Sequence, residues 1–262
     1  MERVLLSLAL VGYIAGITLS IVGIVRHSAR ATLGSNIALL FAWLVHLGAL
    51  VHRGWVAGGF PLSNSGEFLL ALGWVVMALY FLVWFKWRIG AAGLVLAPLA
   101  AVMVAASIGV VPGATEPIAY GTRGLFVFHT TAATLGLAAL GVAFAMSLIY
   151  LVQERTLKSK QSFAMLDRLP SLDTSDRIGH QALLLGFPLL TLGIATGIVW
   201  NLIANNTIWT GSPKEIFPTL AWILFAILLI ARTVWGYRGR RAAYLTIAGF
   251  ALGLMTILGI AR

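Results

Sequence analysis

Long apolar stretches separated by short polar segments make up most of this chain. A helix that crosses a membrane needs about 20 consecutive, mostly apolar residues, and eight stretches meet that requirement. They are Val4–Val25, Ser35–Val51, Phe68–Phe85, Ala91–Val111, Gly124–Val152, His180–Ile203, Ile216–Tyr237 and Ala242–Ala261. None alternates between apolar and polar residues as the strands of a membrane barrel do. The pattern therefore predicts an all-α fold, a polytopic bundle of about eight transmembrane helices that forms a single membrane domain over residues 1–262.

The stretches and their connectors differ in length. The second stretch is the shortest and the fifth is the longest, so we expect the fifth helix to project beyond the bilayer. The first stretch ends at Arg26 without the small-residue cleavage site of a signal peptide, which indicates a retained helix. The connectors are short except Gln153–Gly179, which is also the most charged segment.

Composition supports the membrane assignment and narrows the possible chemistry. Hydrophobic residues make up 60% of the chain and charged residues 10%, whereas soluble domains contain about 25% charged residues. This excludes a cytosolic enzyme, a disordered chain and a disulfide-linked secreted module. The chain has no cysteine, which removes thiolate catalysis, cysteine-bound zinc and iron–sulfur clusters.

The formal net charge of +10 predicts an orientation. Of the 18 Lys and Arg residues, 13 lie on odd-numbered connectors and adjoining helix ends, and the other side holds Arg3, Arg53, Arg123, Lys214 and Arg262. Cytoplasmic loops carry the excess of Lys and Arg in membrane proteins. We therefore expect extracytoplasmic termini and a cytoplasmic loop over about 153–179. The basic residues then attract anionic membrane lipids, and nucleic acid is not an expected partner.

The five histidines fall at different depths in this topology. His46 lies inside the second helix, where an ionisable group is a functional-site hypothesis by default. Imidazole is also the usual axial ligand of haem iron. The alternative is a neutral His46 that is hydrogen-bonded to a neighbouring helix. His52 and His129 fall at outer helix ends, whereas His27 and His180 lie at cytoplasmic edges, where we expect ordinary interfacial roles.

Two outer connectors carry signals for the start of a helix. Ser63 or Asn64 is a candidate N-cap, with Glu67 in the first turn that follows. Pro213 suits the start of the seventh helix, and Glu215 lies in the first turn of that helix.

Trp200 and Trp209 flank the sixth connector at the outer interface. Tryptophan belts are normal at that depth, so position alone favours belt residues.

Several ordered segments resemble the cytochrome c assembly family of CcsA-, HemX- and YpjD-like membrane proteins. The segments are Pro61–Glu67, Phe128–Leu151, Leu185–Gly193 followed by Gly197–Trp200, Pro213–Glu215 and Trp235–Arg241. The resemblance implies about eight helices and a haem-handling surface that faces outward. It implies that His129 is an outer axial ligand of haem iron and that Trp200 and Trp209 form a shelf against the porphyrin. His46 is then a candidate ligand within the membrane.

The chain also departs from the CcsA-type pattern. Trp209–Ser212 stands where that pattern has W-x-W-D, so one tryptophan and the aspartate are missing. The histidine expected in the seventh helix is replaced within Leu229–Arg232, and no terminal histidine occurs up to Arg262. A second axial ligand would therefore come from His52 or from a partner subunit, unless the iron is five-coordinate.

The resemblance implies binding or presentation of haem at the extracytoplasmic face during cytochrome c maturation, most naturally in a bacterial inner membrane. Its partners would be apocytochrome c and a CcsB-like membrane subunit, which would also supply any thiol chemistry. Two alternatives stay open. One is a non-catalytic, HemX-like accessory protein that acts through the Gln153–Gly179 loop, and the other is a transporter of small solutes or ions. Whether the protein is an enzyme stays open as well.

Overall fold

A computed structural model describes residues 1–57, 64–109, 123–159 and 169–260. Within these ranges every regular element is helical, so the predicted all-α fold is confirmed. The helices are α1 (Glu2–Val25), α2 (Ala29–Ala57), α3 (Ser65–Trp87), α4 (Gly93–Gly109), α5 (Arg123–Ser159), α6 (Leu172–Asn205), α7 (Pro213–Val234) and α8 (Arg240–Ile260). A short 3₁₀ turn, Gly90–Ala92, leads into α4.

Seven of the described helices, α1 to α7, are long and apolar enough to cross a membrane. The eighth predicted span is present as the 21-residue helix α8, which lies outside that set. The chain is therefore a polytopic helical membrane protein. The predicted ends at Val111 and Ala261 lie outside the described residues.

The prediction that the second helix is the shortest was wrong. Helix α2 has 29 residues, whereas α4 has 17. Polar residues towards both ends of α2 have partners on other helices. Ser35 Oγ donates to the carbonyl of Gly16 at 2.8 Å, and Arg53 forms ion pairs with Glu2 and Glu67. The prediction that the fifth helix is the longest is confirmed, since α5 has 37 residues.

The predicted loop over 153–179 is largely helical, so its boundaries were wrong. Gln153–Ser159 continues α5, and α6 already begins at Leu172. Ser171 caps α6 by accepting a hydrogen bond from the backbone N–H of Thr174 at 3.2 Å. Between the two helices, residues 160–168 lie outside the described residues.

The helices pack mainly as sequential antiparallel pairs. Each of α1 and α2, α3 and α4, α5 and α6, and α7 and α8 forms such a pair. Contacts of α1 with α4, of α3 with α5 and of α5 with α8 join the pairs into one bundle. The starts of α1, α3, α5 and α7 therefore share one end with the C-terminal ends of α2 and α6. We call this end the outer end, after the predicted orientation.

Helices α5 and α6 approach so closely that neither Gly136 nor Gly186 has room for a side chain. A Cβ atom added to Gly136 would lie 2.8 Å from the backbone nitrogen of Leu190. One added to Gly186 would lie 2.8 Å from Cγ of Leu140. The small residues of α5 thus allow the two backbones to meet, which fixes the position of side chains along this contact.

Local capping at the outer end follows the sequence signals. Asn64 Oδ1 accepts a hydrogen bond from the backbone N–H of Glu67 at 2.9 Å and caps α3. Pro213 is the first residue of α7. Ser63, the other candidate cap of α3, lies outside the described residues.

Candidate functional site

His129 lies between α5 and α6 near the outer end. Its Nδ1 atom is 2.7 Å from the carbonyl oxygen of Gly193, and a carbonyl oxygen only accepts. The Nδ1–H group is therefore the donor, which leaves the lone pair of the neutral ring on Nε2. Among the described residues Nε2 has no hydrogen-bond partner. The ring occupies the space that a side chain at Gly197 would need, since a Cβ atom there would lie 2.7 Å from Cε1 of His129.

Trp200 lies on the same interface, one turn further along α6 than Gly197. Its ring packs against Phe126, which lies one turn before His129 on α5, with 5.3 Å between ring centroids. The indole N–H of Trp200 is buried and has no hydrogen-bond partner in the part of the chain that the structure describes. The structure therefore brings His129 and Trp200 to one contact between two helices.

Trp209 lies on the connection between α6 and α7, residues 206–212. Half of its surface is exposed (50%). The connection includes two residues with left-handed backbones, Asn206 with φ +54° and Gly211 with φ +70°. The structure thus places Trp209 at the outer end but records no direct contact between its ring and that of Trp200.

Glu215, in the first turn of α7, holds this connection. One carboxylate oxygen accepts hydrogen bonds from the backbone N–H groups of Thr210 and Gly211, at 2.7 and 3.0 Å. The other accepts from the hydroxyl of Thr210 at 2.9 Å and from the side-chain amide of Asn201 at 3.3 Å. The sequence indicated Glu215 only as a helix-start signal. Its role in organising the connection was missed, because the donors are recognisable only in the folded loop.

His46 belongs to a separate cluster in the first half of the bundle. Its side chain is fully buried on α2, and its Nδ1 atom lies 3.2 Å from the hydroxyl of Tyr13 on α1. Gly73 lies beside it, since a Cβ atom there would be 3.5 Å from Cε1 of His46. Its Nε2 atom is buried without a hydrogen-bond partner among the described residues. The alternative interpretation, a neutral His46 that is hydrogen-bonded to a neighbouring helix, requires a contact such as this one with Tyr13.

His52 lies at the outer end of α2, next to Arg53 and its two carboxylate partners. It is half-buried, and its Nδ1 atom has no hydrogen-bond partner among the described residues. Helix α2 packs against α1 and α3, and His129 lies on the contact of α5 with α6. The two histidines therefore share one end of the bundle on different helix pairs.

The outer end presents an imidazole and aromatic side chains, which are residue types that can hold haem. No group of three or more His, Asp or Glu side chains suited to a metal ion occurs within the described residues. The site instead combines the imidazole of His129, whose Nε2 atom has no hydrogen-bond partner among the described residues, with the aromatic surface of Trp200 and Trp209. The indole N–H of Trp200 is buried and has no acceptor among the described residues. A planar, largely apolar macrocycle with an iron centre matches that set of groups.

The opposite end of the bundle has a polar cluster of its own. Arg232 Nη2 on α7 lies 2.8 Å from the carboxylate of Asp176 on α6, and the backbone N–H of Gly239 donates to the same carboxylate at 3.1 Å. Tyr150 and Ser175 line the space beside this ion pair. The cluster ties α6 and α7 to the turn that precedes α8, so it joins three parts of the second half of the bundle.

Comparison with known proteins gives consistent matches. A family model described as "Cytochrome C assembly protein" matches residues 62–261. The cytochrome c biogenesis protein CcsA of Guillardia theta is 29% identical over 226 residues, which cover 79% of this chain and 75% of that protein. CcsA of Microcystis aeruginosa is 28% identical over 263 residues, which cover 82% and 80%.

A solved structure shares the fold. The cytochrome c haem lyase CcmF superposes with a TM-score of 0.70 at 16% sequence identity. The match covers 97% of this chain and 46% of that chain, so this chain spans less than half the length of CcmF. At this identity the likeness extends to the fold alone.

Proposed function

The chain belongs to the cytochrome c assembly protein family, and on that basis we propose that it binds haem at the outer face of a membrane during cytochrome c maturation. In that process haem is the substrate and apocytochrome c is its acceptor. The relatives that match over most of their length are named as cytochrome c biogenesis proteins. We propose the bacterial inner membrane as the location.

The observation that carries the proposal is the hydrogen bond between His129 and Gly193. A histidine that binds a metal through one ring nitrogen commonly donates its other N–H to a carbonyl or carboxylate, which fixes the tautomer and the ring orientation. His129 has this arrangement, with Nδ1 2.7 Å from the carbonyl oxygen and Nε2 without a hydrogen-bond partner among the described residues. We therefore assign His129 as the axial ligand that this chain provides.

Aromatic side chains supply the remainder of the proposed surface. Trp200 lies one turn of α6 beyond Gly197, whose side-chain space the ring of His129 occupies. Trp209 lies on the connection that follows α6. Both present large apolar surface of the kind that covers a porphyrin. The indole N–H of Trp200, which has no partner among the described residues, is a donor for a polar group of haem.

A second axial ligand has two proposed sources. His52 lies at the same end of the bundle and has a buried ring nitrogen without a partner. A partner subunit, such as a CcsB-like membrane protein, is the other source. His46 ranks behind both as an iron ligand, because its ring is fully buried on α2 and belongs to a separate cluster with Tyr13 of α1.

The test is an absorption spectrum of protein purified from haem-replete membranes. We expect a Soret band in the parent protein, its loss or displacement in His129→Ala, and an unchanged band in His180→Ala at the opposite end of the bundle. A parent protein without a Soret band would contradict the proposal. If partner proteins then copurify only while residues 160–171 are intact, the HemX-like accessory function is favoured instead.

A further inference from the structure

The connection between α6 and α7 makes several hydrogen bonds to one carboxylate, that of Glu215. Among the described residues, three of the four hydrogen bonds that the Glu215 carboxylate accepts come from the backbone and side chain of Thr210 and the backbone of Gly211. The neighbouring apolar residues Ile208 and Trp209 are 61% and 50% exposed. These two side chains are not buried in the bundle, whereas the polar contacts to Glu215 join the connection directly to α7.

The fourth hydrogen bond links the carboxylate of Glu215 to α6. Asn201 Nδ2 lies 3.3 Å from Oε1 of Glu215, and Asn201 directly follows Trp200. Thr210 directly follows Trp209. One side chain thus joins the residue after each tryptophan to the first turn of α7. Hydrogen bonds to an ionised acceptor are shorter and stronger than neutral ones, and the contacts of Glu215 with Thr210, at 2.7 and 2.9 Å, are the short members of this set.

We propose that Glu215 is a positioning residue that holds Trp200 and Trp209 in one fixed arrangement and so presents them jointly to haem. The inference rests on the proposed haem function, and it adds a residue that does not itself touch haem. Glu215 acts through Asn201 and Thr210, and its carboxylate is fully engaged by these donors.

The chemistry of the carboxylate dictates the choice of variants. Glu215→Gln preserves size but replaces one acceptor oxygen with an NH₂ group, which cannot accept from the N–H donors that face it. Thr210→Val removes the hydroxyl contact alone and retains the backbone donors. A matched control is Glu154→Gln, because Glu154 pairs with the exposed Lys158 near the opposite end of α5.

The mobility of the connection can be measured without haem. Because the chain has no cysteine, Ile208→Cys provides a unique attachment point for a nitroxide spin label. We expect a restricted electron paramagnetic resonance line shape in the parent background, a mobile one with Glu215→Gln and an intermediate one with Thr210→Val. Glu154→Gln should match the parent. An unchanged line shape in Glu215→Gln would overturn the positioning role. If Glu215→Gln fails to fold, the line shape of Thr210→Val is compared with that of the parent in the same way.

Haem titration of the same proteins tests the second half of the inference. With His129 intact, the Soret band of Glu215→Gln should keep its position while the haem Kd rises roughly tenfold, about the effect of one lost hydrogen bond to a charged group. A mobile connection with an unchanged Kd would refute presentation of the tryptophans and leave the haem proposal standing. A parent protein without a Soret band overturns the proposed function and, with it, presentation to haem. The line shapes would still report separately whether Glu215 orders the connection.

Discussion

The ring of His129 occupies the volume that a side chain at Gly197 would fill. The two residues lie on different helices, and a Cβ atom at position 197 would be 2.7 Å from Cε1 and 3.0 Å from Nδ1 of the imidazole. This contact and the hydrogen bond to Gly193 hold the ring on two sides. The orientation of Nε2 is therefore a property of the contact between α5 and α6 rather than of His129 alone.

Gly197→Ala should displace His129 without altering its chemistry. The added methyl group is closer to the imidazole than any real contact allows, so we expect about 1–3 kcal/mol of destabilisation from overpacking. Haem binding should weaken or the Soret band should move, since the hydrogen bond to Gly193 must lengthen. Unfolding in mixed detergent micelles and haem titration measure the two effects.

Gly48→Ala is the matched control for Gly197→Ala. No atom lies within 4 Å of a Cβ atom built on Gly48, which is also in a helix. This variant should leave the spectrum unchanged and should be neutral or slightly stabilising, by up to about 1 kcal/mol. If Gly197→Ala behaved in the same way, the proposed constraint on His129 would be wrong.

Tyr13→Phe should separate the structural role of His46 from a role in binding haem. The substitution removes the hydroxyl that lies 3.2 Å from Nδ1 of His46 and leaves that nitrogen buried without a partner. The expected cost is about 1–3 kcal/mol of unfolding free energy. The Soret band should not change, because the cluster around His46 is separate from His129. A lost or displaced band would instead assign His46 to the haem site.

Arg232→Leu should destabilise the protein strongly and leave haem binding intact. The side chain of Arg232 is 8% exposed, and its loss leaves the carboxylate of Asp176 with only the N–H of Gly239. Removing one member of a buried ion pair costs about 3–5 kcal/mol.

A double substitution separates the ion pair from general packing. Arg232→Leu combined with Asp176→Leu should recover much of the loss, because no unpaired charge remains. Lys158→Ala, which breaks the ion pair between the exposed Lys158 and Glu154, should cost about 0–1 kcal/mol. Equal losses in the single and double variants would argue against an ion-pair effect.

Cysteine labelling tests the orientation that the distribution of Lys and Arg predicts. In the cysteine-free chain, Ile208→Cys should react with a membrane-impermeant maleimide added to intact cells. Trp235→Cys, at the end of α7 and 64% exposed, should react only after the membrane is permeabilised. The reverse pattern would invert the topology and place His129 on the cytoplasmic side.

Local sequence patterns predicted the helices but not their ends. Apolar length is sufficient to identify a membrane helix, so each predicted stretch corresponds to a helix in the structure. The ends of α2 were missed because Arg53 is polar, and its partners Glu2 and Glu67 are distant in sequence. The same reason applies to Gln153–Ser159, where charged residues continue α5 beyond its apolar part. Helix ends therefore depend on tertiary contacts that a local pattern does not contain.

The candidate site was only partly predictable for a related reason. Topology alone placed His129 and Trp200 on one side of the membrane, and the structure adds that they share one helix contact. The tautomer of His129 depends on a carbonyl 64 residues away. The role of Glu215 depends on the folded shape of residues 206–212, which no spacing in the sequence encodes.

The length of α5 relates the two ends of the bundle to the thickness of a membrane. Its 37 residues correspond to about 55 Å at the usual helical rise, far more than the roughly 30 Å of a hydrocarbon core. Tyr150 follows His129 by 21 residues, or about 32 Å along the axis. One hydrocarbon thickness thus separates the proposed haem ligand from the Asp176–Arg232 cluster. This spacing agrees with the proposed function, which requires His129 at the water boundary so that an acceptor protein can reach haem without entering the bilayer.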